Sequence, residues 1–102
     1  MDKYGYIVDI MGCKTVLFTD DINVWHNSRK EYQRVAKTTI GGSWVSTVFL
    51  GIDHNFDGPT PLWFETMVFN GDEDRIVERC ETWLEAERMH ERVCEMVRSN
   101  QS

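Results

Sequence analysis

The feature that most constrains the fold of this chain is the Gly41-Gly42 pair, which separates two segments of strand-like composition. Residues 34–40 and 43–50 are rich in β-branched side chains, and a Gly-Gly pair suits a two-residue turn that needs positive φ. The sequence therefore predicts an antiparallel hairpin. The turn fixes a register that pairs Ile40 with Ser43, Thr38 with Val45, and Ala36 with Thr47.

The segments before this hairpin predict three further elements. Residues 4–10 and 15–18 have strand-like composition and are separated by a turn that contains glycine, so they indicate an N-terminal hairpin. Residues 20–26 indicate a short helix, for which Thr19 or Asp20 is the expected N-cap.

The segments after the hairpin predict two strands and a helix. Residues 62–69 form one strand, and the Asn70-Gly71 turn leads to an outer strand over residues 74–80. Thr82 and Glu85 then make a capping box. Apolar residues recur at helical spacing after it and predict the buried side, namely Ala86, Met89, Val93, Met96 and Val97. Charged residues predict the side that faces water, namely Glu87, Arg88, Glu91, Arg92 and Glu95.

These elements together predict an α+β fold in a single domain, residues 1–102. We expect an antiparallel meander sheet of about five or six strands, with one C-terminal amphipathic helix lying across a face.

Composition limits the classes of function. The net charge of −6 and the pI near 4.9 argue against non-specific nucleic-acid binding, which needs a basic surface. The three cysteines form no C-x-x-C pair, and no run of residues resembles a signal peptide or a membrane span. We therefore expect a cytoplasmic protein that does not enter a membrane. Four Trp and five Phe are many for so small a core, so we expect some of them at a subunit interface or a ligand surface. We expect a homo-oligomer.

The segment from Gly51 to Pro61 is long for a hairpin connection and is either a binding loop or a plain connector. Asp53-His54 within it suggests an acid/base or metal pair, but a polar loop held by its own hydrogen bonds explains the two residues as well. The chain has no nucleophile motif and no phosphate-binding glycine loop, so we expect a protein that is not an enzyme and needs no cofactor.

Three other sets of residues suggest chemistry. Glu65 interrupts an apolar strand and is expected to be solvated, unless it is buried against an arginine. Arg88 and Arg92 lie four apart on the helix, where they make either salt bridges with the glutamates around them or a clamp for phosphate. His90 and Cys94 have the same spacing, but two ligands alone are a weak indication of a metal site.

A longer pattern covers residues 33–92. It reads V-S-T-V-F-L-G-x-D-H, then E-T-M-x-F, then T-W-x-x-A-E and a helical His, and it resembles a group of short phage and prophage proteins. The matching positions are 45–51, Asp53, His54, 65–67, Phe69, Thr82, Trp83, Ala86, Glu87 and His90.

The expected architecture is also similar to that of the anti-Thoeris sponges of phages. This resemblance implies an oligomeric counter-defence protein that binds a cyclic ADP-ribose-type or cyclic nucleotide immune signal without cleaving it. It implies that Arg88 and Arg92 contact phosphate. It also implies that Phe49, Phe56 and Asn70 contact the base of the ligand. Asp53 and His54 belong to the matched stretch and are further candidates for the wall of the ligand pocket. The alternative is a phage inhibitor that blocks a host defence complex, such as a CRISPR effector, through an acidic surface.

Overall fold

The computed structural model describes residues 4–52, 60–70 and 74–100, which form an α+β fold with six antiparallel strands and two helices. The elements in chain order are β1 (Tyr4–Ile10), β2 (Cys13–Thr19), α1 (Ile22–Tyr32), β3 (Arg34–Ile40), β4 (Ser43–Phe49), β5 (Phe64–Phe69), β6 (Asp74–Cys80) and α2 (Trp83–Ser99). The predicted α+β class, the antiparallel strands and the C-terminal helix are confirmed.

The strands divide into two sheets, whereas the sequence predicted one. β1 and β2 form a separate hairpin, and the other four strands form a meander in the order β3-β4-β5-β6. Helix α1 lies between β2 and β3 in the chain and packs on the hairpin, so β2 does not pair with β3. The amide of Gly5 still donates to the carbonyl of Gly51 over 2.8 Å, which ties the hairpin to the segment after β4.

The central hairpin has the predicted register. Gly41 takes a φ of +60°, the conformation that a type II′ turn requires at its first central position. The partners across the turn are Ile40 with Ser43, Thr38 with Val45, and Ala36 with Thr47, as expected. The face of β4 that carries Val45, Thr47 and Phe49 is completely buried against α2.

Helix α1 begins later and runs further than predicted. It spans Ile22–Tyr32, and its N-cap is Asp21, whose Oδ1 accepts a hydrogen bond of 2.9 Å from the amide of Asn23. Thr19 accepts a hydrogen bond from the Asp21 amide instead of capping the helix itself. The predicted choice of Thr19 or Asp20 was therefore wrong by one or two residues.

Helix α2 crosses the four-stranded sheet, and the packing between them forms the core. Its buried residues are Ala86, Met89, His90, Val93 and Cys94, which pack on buried side chains of β4 and β5. Thr82 is the N-cap as predicted, since its Oγ1 accepts from the Glu85 amide over 3.1 Å. The Glu85 carboxylate accepts from the Thr82 hydroxyl over 2.9 Å, which replaces the bond to the Thr82 amide expected for a capping box. Met96 is 49% exposed, contrary to expectation, because the inward side of the last turns passes through Val93 and Val97.

The ends of the long connection between β4 and β5 are held together. The Leu50 amide donates to the Trp63 carbonyl over 2.8 Å, and the indole of Trp25 donates to the Leu50 carbonyl over 3.0 Å. We call this hydrogen-bonded base of the connection the closed stem. It holds residues 60–63 just before β5, between two surface depressions that are described below.

Candidate functional site

Arg88 and Arg92 lie in the wall of a surface pocket of about 380 Å³ between the end of β6 and the first turns of α2. We call it the arginine pocket; its lining residues are Thr60, Leu62, Glu78, Arg79, Cys80, Glu81, Glu85, Arg88 and Arg92. The i,i+4 spacing on α2 puts both guanidinium groups on the side of the helix that borders β6. The volume lies within the range of small-ligand sites.

The charges in the arginine pocket are mixed. Arg92 Nη2 lies 2.7 Å from Glu78 Oε1, and Arg79 Nε lies 3.1 Å from Glu65 Oε2. Among the residues that the structure describes, Arg88 makes no ion pair. The expected salt bridge is therefore present for Arg92, whose partner is Glu78 of β6. The Arg88 guanidinium is available to an anion.

Glu65 is buried, so the expectation that it is solvated was wrong. The β5–β6 register places Glu65 opposite Arg79, which supplies the buried carboxylate with a charged hydrogen-bond donor. The pairing satisfies a group that would otherwise be costly to remove from water. It also holds Arg79 at the edge of the arginine pocket.

His90 is a buried hydrogen-bonding residue of the helix–sheet interface. Its Nε2 lies 2.9 Å from Thr38 Oγ1 and its Nδ1 lies 2.8 Å from Thr47 Oγ1, which also contacts Thr66 Oγ1. Burial lowers the pKa of His90 below its ordinary value, although the nearby Glu91 carboxylate opposes this effect. Because both ring nitrogens are engaged, His90 and Cys94 do not offer a pair of metal ligands.

The described part of the chain contains no group of three or more His, Cys, Asp or Glu side chains arranged to hold a metal ion.

The other predicted site residues do not meet in the arginine pocket. Phe49 is completely buried and packs against Phe64 at 5.3 Å between ring centroids, so its expected contact with a ligand base is not supported. Asn70 follows the far end of β5, roughly 20 Å along the strand from Phe64 at its start. Asp53, His54 and Phe56 lie outside the described residues.

A second depression, which sequence reasoning missed, adjoins the arginine pocket. It measures about 620 Å³ and lies between β2 and the start of α2. We call it the aromatic groove; its lining residues are Cys13, Lys14, Thr15, Val16, Phe18, Pro61, Trp63, Glu81, Thr82, Trp83 and Leu84. The available signal was the Trp83-Leu84 pair directly after the helix cap, of which Leu84 is 56% exposed and Trp83 is partly buried.

The two depressions share one wall. Thr60 and Leu62 line the arginine pocket, whereas Pro61 and Trp63 line the aromatic groove, as expected for alternating residues of an extended segment. Glu81 contributes to both linings. Charged and aromatic surfaces therefore lie side by side, separated by the thickness of one extended segment.

The fold and the paired depressions define a small α+β protein with an open surface site. Comparisons with protein-family models, with curated proteins and with solved structures found no match to this chain. In the described residues, no helix is both long enough and apolar enough to cross a membrane.

Proposed function

We propose that this protein is a phage counter-defence protein that binds and sequesters a nucleotide-derived immune signal, of the cyclic ADP-ribose type, without cleaving it. The observation that carries the ligand chemistry is the position of Arg88 and Arg92 in one pocket wall. The phage role is supported by the sequence resemblance across residues 33–92.

The electrostatics of the arginine pocket support an anionic ligand of limited size. The Arg88 guanidinium can donate two parallel hydrogen bonds to phosphate oxygens, and Arg92 keeps donors beyond the one directed at Glu78. The carboxylates of Glu78, Glu81 and Glu85 stand in the same lining and repel an anion. Binding is therefore expected to depend on exact placement of phosphate near Arg88, and to weaken as salt rises.

The chemistry of the lining supports retention of the ligand over its conversion. Burial, together with the Glu85 and Glu78 carboxylates, raises the pKa of the Cys80 thiol to about 12, so this sulfur remains a poor nucleophile near neutral pH.

A thermal-shift titration tests the proposal. Cyclic ADP-ribose isomers in large excess should raise the Tm of the wild type, and Arg88→Ala combined with Arg92→Ala should abolish the shift. Arg98→Ala is the matched control, because Arg98 lies on the same helix, pairs with Glu95 at 2.7 Å and lines neither depression. It should leave the shift unchanged.

Two results would contradict the proposal. One is the absence of any shift for the folded wild type with every isomer. The other is recovery of a cleaved ligand after incubation and heat denaturation, which would show a hydrolase instead of a sequestering protein.

A further inference from the structure

We propose that the aromatic groove is the ring subsite of the ligand whose phosphate binds in the arginine pocket, so that the protein selects a nucleotide over a simple phosphate. This inference rests on the proposed function. It assigns a binding role to residues that the arginine pocket does not use, chiefly Phe18, Trp83 and Leu84.

The walls of the aromatic groove leave large apolar side chains open to solvent. Phe18 is 55% exposed and Leu84 is 56% exposed, and both line the same concave surface with Pro61 and Trp83. A planar ring that enters the groove would remove apolar area on several sides from water. Side chains of this kind, gathered in one depression, are typical of a ligand site.

The aromatic side chains of the groove are held in place before any ligand binds. Trp63 meets Phe18 edge to face at 5.4 Å between ring centroids. Trp83 is fixed in the same way by Tyr32 at 6.3 Å and by Phe64 at 6.0 Å. Binding of a ring therefore costs little conformational entropy in these aromatic side chains, which favours affinity.

The groove lining contains one cationic side chain, Lys14, together with the carboxylate of Glu81. Lys14 Nζ lies 5.1 Å from the centroid of the Trp83 ring and 4.0 Å from Asp9 Oδ2. A cation beside an aromatic wall favours a ring that bears electron-rich or anionic substituents over a plain hydrocarbon.

Continuity with the arginine pocket identifies the occupant. Glu81 lines both depressions, and residues 60–63 present alternate side chains to each. A purely apolar ligand would give the guanidinium groups of the arginine pocket no anion to bind. A simple phosphate would leave the aromatic side chains of the groove exposed to water. A nucleotide carries both chemistries in one molecule.

Calorimetric titration with ADP and with inorganic pyrophosphate, at matched ionic strength, tests the inference. ADP should bind roughly tenfold more tightly than pyrophosphate, because stacking of one base on aromatic side chains contributes about that factor. Phe18→Ala should weaken ADP binding to the level of pyrophosphate and leave pyrophosphate binding unchanged. The control is Leu17→Ala on the same strand, because Leu17 is 42% exposed and lines neither depression.

The exposed thiol of Cys13, which lines the groove, gives an independent readout. Saturating ADP should slow its modification by a thiol reagent several-fold, and saturating pyrophosphate should not. Equal affinities for ADP and pyrophosphate, or equal losses for both in Phe18→Ala, would overturn the ring subsite and leave the arginine pocket standing. If neither probe binds the folded wild type, the inference fails, while the thermal-shift titration with cyclic ADP-ribose isomers decides the proposed function separately.

Discussion

His90 of α2 lies 2.8 Å from Thr47 of β4, measured from Nδ1 to Oγ1, and this bond lies in the buried interface between helix and sheet. Thr38 engages the other ring nitrogen, and Thr66 contacts Thr47, so one imidazole connects α2 to three adjacent strands. A satisfied polar network inside an apolar interface fixes the position of the helix more narrowly than apolar contacts alone. It therefore also fixes where Arg88 and Arg92 meet β6.

We predict that the stability of the fold decreases as the pH falls below about 6.5, the ordinary pKa of histidine. The pKa of His90 is lower in the folded protein than in the unfolded chain, so protons bind the unfolded chain preferentially in this range. The contribution of His90 is complete above the unfolded pKa and is lost as the pH falls toward the folded one. Urea unfolding between pH 8 and pH 5 measures this effect.

The matched variant for this prediction is His90→Gln, which keeps a hydrogen-bonding group but removes the titration. Its free energy of unfolding should be lower than that of the wild type at pH 8 and should change less between pH 7 and pH 5.5. Parallel pH profiles for the two proteins would show that other groups control the acid sensitivity.

A second prediction concerns two glycines that share a positive φ and differ in their surroundings. Gly51 has a φ of +68°, and a Cβ there would lie 2.6 Å from the Trp25 ring and 2.9 Å from the Gly5 carbonyl oxygen. Gly12 has a φ of +86° and nothing within 4 Å of the same position. Gly12→Ala should therefore lower the free energy of unfolding by about 1–2 kcal/mol, which is the cost of holding a residue with a Cβ in the left-handed backbone conformation.

Gly51→Ala should lower the free energy of unfolding by at least about 1 kcal/mol more than Gly12→Ala does. The added methyl group would clash with Trp25 and the Gly5 carbonyl, and this cost adds to that of the backbone conformation. The substitution should also disturb the closed stem of the connection, in which the Trp25 indole donates to Leu50. Denaturant unfolding gives both energies. Equal losses for the two variants would mean that Trp25 moves aside without penalty.

The parts of this fold that follow local rules could be predicted from the sequence. The Gly41-Gly42 turn determined the register of its hairpin, and the Thr82 N-cap determined where α2 begins. The division into two sheets could not be predicted, because it depends on how α1 packs on the N-terminal hairpin. No local pattern encodes that packing.

The candidate site was also predicted only in part, because the sequence indicates which residues of one element lie together but not which elements pack together. Helical spacing alone brought Arg88 and Arg92 together, and the structure places them in one pocket wall. The aromatic groove lies between Phe18 of β2 and Trp83 of α2, which are distant in sequence. The burial of His90 did have a local signal, since it lies four residues after Ala86 and three before Val93 on the inward side of α2.

A third prediction concerns the three free thiols. Cys13 is exposed, whereas Cys80 and Cys94 are buried, and burial raises the pKa of Cys80 to about 12. A chromogenic disulfide reagent at pH 8 should therefore modify one thiol quickly in the native protein and three in denaturant. Cys13→Ser should remove the fast phase. Fast modification of two thiols in the native state would mean that α2 opens readily.

The last prediction concerns the charge of Glu81, which lines both the arginine pocket and the aromatic groove. Its carboxylate lies on the path of any ligand that spans the two and opposes the approach of phosphate to Arg88. Glu81→Gln keeps the size of the side chain and removes the charge, so affinity for ADP should rise by roughly threefold to tenfold at low salt. The gain should shrink as salt increases, because the repulsion is screened.

Glu87→Gln is the matched control, since Glu87 is exposed on α2 and lines neither depression. Equal gains from the two variants in calorimetric titrations would mean that net charge, and not the shared wall, governs binding.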